Sequence, residues 1–373
     1  MGSVRQRRRA TSSGQGKLEY EARWRDDEGR QRSRSFRRKV DADQFLRQVE
    51  GDLAKGQYID PAGGRVRFGE YALEWQRAQV HRERTAALVD AHLRNHIIPA
   101  FGARRLGDVR PTDVQAWVRR LATTLAPATV RVVYAYARAI FRAAVEDRLI
   151  PFSPCRAKLP AIPATQVIPI TTAQLGRLIA ATDPRYQALV ITGAGSGLRP
   201  GELRGLTVDR VDFLRRTIRV DRQLGEPNSP ALFAPLKTAD SARTVPVTAL
   251  VTDTLGAHLA RYGSSPDGLF FTSRTGGPLR RNRLADIIAK ARADAELHDV
   301  TAHDLRHFYA SMLIAGGQSV KVVQKRLGHS SAVETLDTYG HLWPDSEEDT
   351  RTAVDAVLTT SVVGRLWDGT ASG

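Results

Sequence analysis

The sequence predicts a mainly α-helical protein with small β elements, divided into three domains. Three observations predict it: an alternating apolar pattern near the N-terminus, apolar residues at helical spacing through the middle of the chain, and both patterns together beyond a proline-rich segment. The chain has 373 residues, of which 42% are hydrophobic, so it is long enough and apolar enough to bury two or three cores.

The first predicted domain, residues 1–60, combines a small β-sheet with one helix. Residues 17–25 alternate between apolar and polar side chains, and residues 31–36 are predicted to return as a second strand after a turn. A helix capped by Asp41 is predicted to follow. The basic segment Arg5–Arg9 runs into a Ser/Gly-rich stretch, and we expect it to be a flexible arm.

The second predicted domain, residues 66–160, is a four-helix module that follows a short linker at residues 61–65. Apolar residues recur at helical spacing, most clearly from Val130 to Ala144, where the stripe indicates a buried face. Four prolines between Pro151 and Pro163 interrupt the pattern and predict an interdomain linker. The helices are predicted at 68–80, 84–98, 112–124 and 128–147.

The third predicted domain, residues 168–373, is mixed α/β and ends in a C-terminal tail. Short strands are predicted near 208–213 and 217–221, and a hairpin is predicted to pair Leu232–Lys237 with Arg243–Val247. The helices are predicted at 172–182, 184–196, 248–262, 280–294, 303–315, 319–327 and 331–338.

The whole chain has a formal net charge of +16, and its positive charge is concentrated in the N-terminal half. Lys and Arg outnumber Asp and Glu by 13 to 5 in residues 1–40 and by 16 to 8 in residues 66–163, but only by 24 to 22 in residues 164–373. A surface this basic indicates a polyanionic partner, with nucleic acid as the first candidate and a basic but inert surface as the alternative.

The cysteine content and hydropathy exclude several classes of protein. Cys155 is the single cysteine, so an internal disulfide and a Cys-rich zinc module are excluded, which fits a reducing cytoplasm. No stretch approaches the roughly 20 apolar residues of a membrane span. The basic N-terminus lacks the apolar segment of a secretory signal. We therefore expect a cytoplasmic protein without a membrane partner.

Two cationic residues stand out in the first half of the third domain. Arg199 lies in the string Gly-Leu-Arg-Pro-Gly-Glu-Leu at 197–203, where one helix is predicted to end and another to start. Glu202 is placed to hold the guanidinium of Arg199 or to cap the helix. Lys237 is predicted near the hairpin tip, from which a lysine can reach a DNA groove and donate a proton. The plainer interpretations are a surface arginine and an edge-strand lysine that discourages aggregation.

The string His-Asp-Leu-Arg-His at 303–307 opens a predicted helix. Its spacing places His303, Arg306 and His307 near one face, where they could grip a phosphate. Histidines four residues apart are also the spacing of a zinc helix. We disfavour zinc because Asp304 replaces the usual glutamate, because Arg306 sets a cation beside the metal, and because no third ligand is evident. A helix-capping role for His303 stays open.

A histidine and a tyrosine are the last two candidate site residues in the third domain. His329 lies in Leu-Gly-His-Ser at 327–330, after a predicted helix that stops at the glycine. A last short helix ends at residues 338–341, which places Tyr339 directly before a glycine. The plainer interpretation of Tyr339 is a half-buried packing residue. Tyr309 is the competing tyrosine, but its apolar neighbours indicate a core position.

Together these residue types match what cleavage of a phosphodiester without a metal requires. The extra negative charge on the non-bridging oxygens calls for planar, bidentate donors such as guanidinium groups. A tyrosine can act as the nucleophile and form a covalent phosphoryl intermediate. The leaving 5′ oxygen needs a proton from a positioned acid.

The order Arg, Lys, His-x-x-Arg, Gly-His, Tyr within 141 residues, with these local strings, resembles the tyrosine recombinase (phage integrase) family of actinobacteriophage type. The firm resemblance in sequence lies in residues 190–345. One departure is the spacing of ten residues from His329 to Tyr339, one more than in many members. The resemblance implies six active-site residues: Arg199, Lys237, His303, Arg306, His329 and Tyr339.

The resemblance also implies a role for each of the six. The two arginines would clamp the scissile phosphate, and the lysine would protonate the leaving 5′ oxygen. His303 would assist as acid or base, and His329 would hydrogen-bond the phosphate. The tyrosine would attack and stay joined to the 3′ phosphate. No cofactor would be needed, because the energy of the broken bond is kept in that link.

The domains and partners follow from the same resemblance. It implies an arm-type DNA-binding domain at 1–60, a helical core-binding (SAM-like) domain at 66–160 and a catalytic domain at 168–373. The substrate would be double-stranded DNA at attachment sites, bound by a homotetramer in the cytoplasm of a bacterial host. The enzyme would integrate a phage or mobile element; whether it also excises the element stays open. An accessory DNA-bending protein and an excisionase are further candidate partners.

The sequence leaves three rival classes of protein open. One is a DNA-binding regulator whose site residues are inert. Another is a type IB topoisomerase-like enzyme, which shares the phosphotyrosine chemistry but only relaxes DNA. The third is the zinc hydrolase, disfavoured for the reasons above.

Overall fold

The computed structural model describes residues 2–9, 17–26, 29–55, 58, 63–163, 166–225, 232–236, 238, 241–343 and 347–358. The chain divides into two compact units, residues 1–163 and residues 164–373. The predicted fold class, mainly α-helical with small β elements, is confirmed, and the β elements are small antiparallel sheets. None of the helices in the described ranges combines the length and the apolar run that a bilayer crossing needs.

The N-terminal part of the first unit is a three-stranded antiparallel sheet, β1 (Ser3–Arg9), β2 (Lys17–Arg25) and β3 (Gln31–Phe36), covered by helix α1 (Lys39–Ala54). Its small core is fixed by Trp24, whose Nε1 donates a hydrogen bond to Tyr58 Oη at 2.8 Å.

Two expectations for this sheet and helix were wrong. The segment Arg5–Arg9 is not a flexible arm but belongs to an edge strand paired with β2, with Gln6 opposite Tyr20. The prediction failed because Val4 is the only apolar residue of β1, so its order comes from backbone hydrogen bonds that leave no hydrophobic alternation. Helix α1 starts two residues before Asp41, which lies in the first turn instead of capping it.

The rest of the first unit is the predicted four-helix module. Its helical segments are α2 (Phe68–Ala78), α3 (Glu83–His92) continued by α4 (Ile98–Phe101), α5 (Pro111–Leu121) and α6 (Pro127–Glu146). A π-helical turn, Leu93–Ile97, joins α3 to α4. At the centre of the four-helix module, the aromatic rings of Phe68, Phe101 and Phe141 pack on one another. Trp117 packs against Phe101.

The second unit packs helices around two small sheets. The helices are α7 (Thr172–Ala181), α8 (Pro184–Ser196), α9 (Pro200–Arg204), α10 (Ala249–Tyr262), α11 (Arg281–Asp294), α12 (Asp304–Ala315), α13 (Val320–Leu327), α14 (Ala332–Tyr339) and α15 (Glu347–Leu358). Helix α8 packs against both α10 and α12. Its glycines permit this approach, because a Cβ at Gly193 would lie 2.9 Å from Leu305 and one at Gly195 would lie 2.5 Å from Val251.

The strands of the second unit pair differently from the prediction. They are β4 (Val211–Asp212), β5 (Thr217–Val220), β6 (Arg222–Leu224), β7 (Phe233–Pro235) and β8 (Arg243–Pro246), in sheets ordered β4-β5-β8 and β6-β7.

The predicted hairpin of Leu232–Lys237 with Arg243–Val247 is therefore wrong. Strand β8 pairs with β5, because Val245 faces Ile218 and both are fully buried in one apolar layer. Strand β7 pairs with β6, where the Arg222 guanidinium lies 4.0 Å above the ring of Phe233. Lys237, predicted at the tip of that hairpin, lies outside the described residues.

Candidate active site

The structure brings together five of the six residues predicted for the site. They occupy the ends of helices in the second unit, where α8 meets α9, where α12 begins, and on either side of α14. The sixth, Lys237, lies outside the described residues, so its prediction is untested. The five are Arg199, His303, Arg306, His329 and Tyr339.

Arg199 is held at the junction of α8 and α9. Helix α8 ends at Gly197, which has a left-handed φ of 63°, and Arg199 occupies the N-cap of α9. Its guanidinium donates to Glu202 Oε1 at 3.1 Å, and its Nη2 donates to the carbonyl of Gly328 at 2.8 Å. Its backbone N–H also donates to Glu202, so this carboxylate both caps the helix and orients the guanidinium.

Glu202 is buried and binds a second arginine, Arg243 of β8. Arg243 donates to both carboxylate oxygens, at 3.2 and 2.8 Å, and the two side chains are almost wholly enclosed. Burial alone would raise the pKa of Glu202, but the hydrogen bonds and charges of Arg243 and Arg199 outweigh it and lower that pKa. Arg243 also donates to the carbonyl of Arg326, so it ties the carboxylate to the end of α13.

Arg306 is the most enclosed cation of the group, with 2% of its surface exposed. It donates to the carbonyl of Gly197 and to the carbonyl of Leu327, each at 2.8 Å. Burial, followed by the charges of Arg199 and Arg243, lowers its pKa to about 9. Two carbonyl groups from the ends of α8 and α13 therefore fix the plane of this guanidinium.

Tyr339 ends helix α14 and is buried, with 1% of its surface exposed. Its hydroxyl is hydrogen-bonded to Nδ1 of His307 at 2.8 Å. Its ring stacks on that of His329, with 10° between the planes and 6.4 Å between the centroids. Burial raises the pKa of Tyr339 to about 12, and the charge of Arg306 opposes the shift. The phenol is therefore protonated at neutral pH.

The histidines beside Tyr339 are neutral at pH 7. Burial and the charge of Arg306 lower the pKa of His329 to about 4, and its Nδ1 is hydrogen-bonded to Thr335 Oγ1 at 2.9 Å. His303 keeps an exposed face, while the rest of its ring is desolvated edge-on against His307, with centroids 4.7 Å apart. Its pKa is lowered by this desolvation and by His307 and Arg306.

The electrostatic balance of the site favours an anion. Arg199, Arg243 and Arg306 carry three positive charges, Glu202 carries one negative charge, and the neighbouring histidines are neutral. The charges of Arg199 and Arg243 lower the pKa of Arg306, so these three guanidinium groups with Glu202 carry a net positive charge; Asp304 and Glu334 act from the tyrosine side, where they raise the pKa of Tyr339. A phosphate group supplies both the missing charge and the acceptor geometry of guanidinium groups.

Three residues at the site are not among the six predicted from the sequence. Arg243 was taken for an ordinary strand residue; the available signal was a charged residue on the same face of β8 as the buried Val245. His307 was placed near the right face as a candidate phosphate or zinc contact but was not included among the six predicted site residues. Thr335, which is buried and orients His329, carries no signal in the sequence.

The competing interpretations can be compared with the geometry. Tyr309 packs in the core, where a Cβ at Gly197 would lie 2.3 Å from its ring. Helix α12 does present His303 and His307 side by side, but the latter is hydrogen-bonded to Tyr339. Within the described ranges, no group of three or more His, Cys, Asp or Glu is arranged to hold a metal ion.

The chain matches two family models. The model of the phage integrase family covers residues 169–345, and the model of the phage integrase central domain covers residues 68–158. Among curated relatives, the putative prophage phiRv2 integrase of Mycobacterium tuberculosis is 29% identical over 315 residues, which cover 81% of this chain and 83% of the relative. The integrase of Mycobacterium phage D29 is 25% identical over 312 residues, with 80% and 83% covered.

Solved structures share the fold. The Tn1549 transposon integrase in complex with a circular intermediate DNA has a TM-score of 0.68 at 20% identity, covering 78% of this chain and 99% of that one. A lambda integrase dimer bound to a COC′ core site has a TM-score of 0.60 at 17% identity, covering 88% and 95%.

Proposed function

The chain belongs to the phage integrase family of tyrosine recombinases, and we propose that it cuts and rejoins DNA at specific sites through a covalent bond between Tyr339 and the 3′ phosphate. The observation that carries the proposal is the cluster of three guanidinium groups with one carboxylate, set beside a buried tyrosine that stacks on a histidine. The net positive charge of the three guanidinium groups and the carboxylate favours an anionic group such as a phosphate.

The proposed reaction assigns a step to each side chain. Arg199 and Arg306 bind the non-bridging oxygens of the scissile phosphate, where charge builds up in the transition state. The phenol oxygen of Tyr339 attacks phosphorus, a P–O bond to Tyr339 forms, and the bond to the 5′ oxygen breaks. Lys237 protonates that oxygen. His329 donates to the phosphate, and His303 assists at its edge. Attack by a 5′ hydroxyl of a second strand reverses the chemistry.

The other partners are also proposed. We infer that double-stranded attachment-site DNA is the substrate, since the Tn1549 and lambda integrases were solved with DNA. A homotetramer is proposed because the lambda integrase forms a tetramer on a Holliday junction. Residues 1–60 are proposed as an arm-type DNA-binding domain and residues 66–160 as the core-binding domain. A DNA-bending protein and an excisionase remain proposed partners, and the bacterial cytoplasm is the proposed place of action.

The test is capture of the covalent intermediate. The probe is a library of nicked duplexes with a randomised core, in which cleavage releases a short fragment and so blocks rejoining. We expect the wild-type protein to form an adduct in excess EDTA, and sequencing of the adducts yields a duplex for all later measurements. Tyr339→Phe should abolish the adduct while duplex binding persists.

Tyr309→Phe is the matched control, because Tyr309 lies in the core on the neighbouring helix, and it should keep the adduct. An adduct that survives Tyr339→Phe, or a wild-type protein that binds duplex but never becomes linked to it, refutes the proposal and favours a regulator. DNA cleavage that stops in excess EDTA would favour the zinc hydrolase. Relaxation of supercoiled DNA without strand exchange between two selected duplexes favours the topoisomerase.

A further inference from the structure

The hydrogen-bond partner of the Tyr339 hydroxyl is His307, a residue that the proposed mechanism leaves without a role. Nδ1 of His307 lies 2.8 Å from the phenol oxygen, and the two rings are edge to face with centroids 5.6 Å apart. His307 lies one helical turn after His303 on α12, so the start of this helix aims it at the end of α14.

The other two histidines are not placed to do what His307 does. The His329 ring stacks face-on against Tyr339, and its Nδ1 is taken by Thr335. The His303 ring meets His307 instead, at a centroid distance of 4.7 Å. His307 is therefore the histidine whose ring nitrogen points at the reacting oxygen.

The protonation states set the direction of this hydrogen bond. Burial lowers the pKa of His307; of the charged groups near it on α12, Asp304 opposes that shift and Arg306 adds to it. Tyr339, which faces it from α14, has a pKa raised to about 12 by burial. At pH 7 a neutral imidazole therefore faces a protonated phenol, and with the ring proton on Nε2 the phenol O–H donates and Nδ1 accepts.

We propose, on the basis of the proposed function, that His307 is a further catalytic residue that takes the proton of Tyr339 as the phenol oxygen attacks phosphorus. The proton moves from Oη to Nδ1, the O–P bond to Tyr339 forms, and the P–O5′ bond breaks with its oxygen protonated by the separate acid. The resulting imidazolium returns the proton to Oη when a 5′ hydroxyl attacks the phosphotyrosine.

The experiment combines a histidine variant with a more acidic phenol. His307→Asn keeps an acceptor near the position of Nδ1 but cannot take up the proton. On the selected nicked duplex, we expect its rate of adduct formation to fall roughly 10²-fold or more, the usual contribution of a general base. Replacement of Tyr339 by a fluorinated tyrosine lowers the pKa of the phenol, so the loss caused by His307→Asn should become much smaller.

A merely structural role for His307 predicts the same fold-loss with both phenols, and that result overturns the inference. So does a His307→Asn protein with the wild-type rate. His298→Asn, at an exposed histidine of the same unit, is the matched control and should keep the wild-type rate. In all these outcomes the wild-type adduct at Tyr339 is still formed; its absence refutes the proposed function instead.

Discussion

The two sides of the site are built in different ways. The arginine side consists of Arg199, Glu202, Arg243 and Arg306, and each guanidinium donates to two or more groups from separate elements. The tyrosine side consists of His303, His307, His329 and Tyr339, joined to each other or to α14 by single hydrogen bonds and ring contacts. The comparison teaches that the guanidinium groups are oriented by several hydrogen bonds each, whereas Tyr339 and the histidines beside it are held by core packing, ring contacts and single side-chain hydrogen bonds.

The largest effect is expected from Arg243→Met, which breaks the arginine side. It leaves the Glu202 carboxylate buried with only Arg199 as its partner, and removal of one member of a buried ion pair costs about 3–5 kcal/mol. We expect the free energy of unfolding in urea to fall by about that amount. Adding Glu202→Gln removes the stranded charge and should restore part of the loss.

Arg219→Met is the control for that prediction. Arg219 pairs with Asp221 at the surface with 61% of its side chain exposed, so its loss should cost no more than about 1 kcal/mol. Equal losses for the two variants would mean that the Glu202–Arg243 pair is not specially dependent on burial.

A smaller effect is expected from Gly197→Ala, at the carbonyl that holds Arg306. The left-handed φ of 63° strains any other residue, and the new Cβ would lie 2.3 Å from the Tyr309 ring. Together these should cost about 2–4 kcal/mol in urea unfolding and slow adduct formation. Gly276→Ala is the control: Gly276 has a φ of +82°, and an added Cβ there would have no atom within 4 Å. This substitution should therefore cost only about 1 kcal/mol. Similar losses would show that packing against Tyr309 contributes nothing.

The smallest effect concerns pH, which separates the two sides. The pKa of His329 is about 4 against an ordinary 6.5, so unfolding takes up a proton and stability is lost as pH falls below 6.5. Glu202 has a lowered pKa, so its contribution persists above its ordinary 4.5 and is lost only as pH falls through the folded value. Acidification should therefore weaken the tyrosine side first.

The measurement is the unfolding free energy at pH 7.5 and pH 5 for three proteins. His329→Gln should reduce the difference between the two pH values by roughly 1 kcal/mol, whereas Glu202→Gln should leave it unchanged. The pKa values of four other histidines are also lowered by burial, and these contribute a background common to all three proteins: His92, His258, His303 and His307. If Glu202→Gln removed the difference in unfolding free energy between pH 7.5 and pH 5, the acid-sensitive group would be Glu202 and not His329.

The sequence predicted the helices far better than the strands. Helices such as Pro127–Glu146 combine an apolar stripe with a proline at the start, and both signals are local. Strand pairing depends on contacts between distant segments, so the short β7 and β8 were found but wrongly paired with each other. Strand β1, almost wholly polar, gave no pattern at all.

The same distinction holds within the site. Arg199 and Arg306 were found because each lies in a distinctive local string at a helix end. Arg243 was missed because its importance comes from Glu202, 41 residues away. The bond between His307 and Tyr339 spans 32 residues and depends on how α12 and α14 pack, which no local pattern encodes.

The enclosure of Tyr339 also bears on how the enzyme turns over. With 1% of its surface exposed, the phenol is covered in this structure, so under the proposed function DNA has to uncover it while its hydrogen bond to His307 is kept. The work of uncovering Tyr339 would then be taken from the free energy of DNA binding, so contacts that tighten the complex without uncovering it would raise affinity and leave the cutting rate unchanged. Under the proposed function, a subunit would then occupy its site and keep the strand intact for as long as this phenol stays covered.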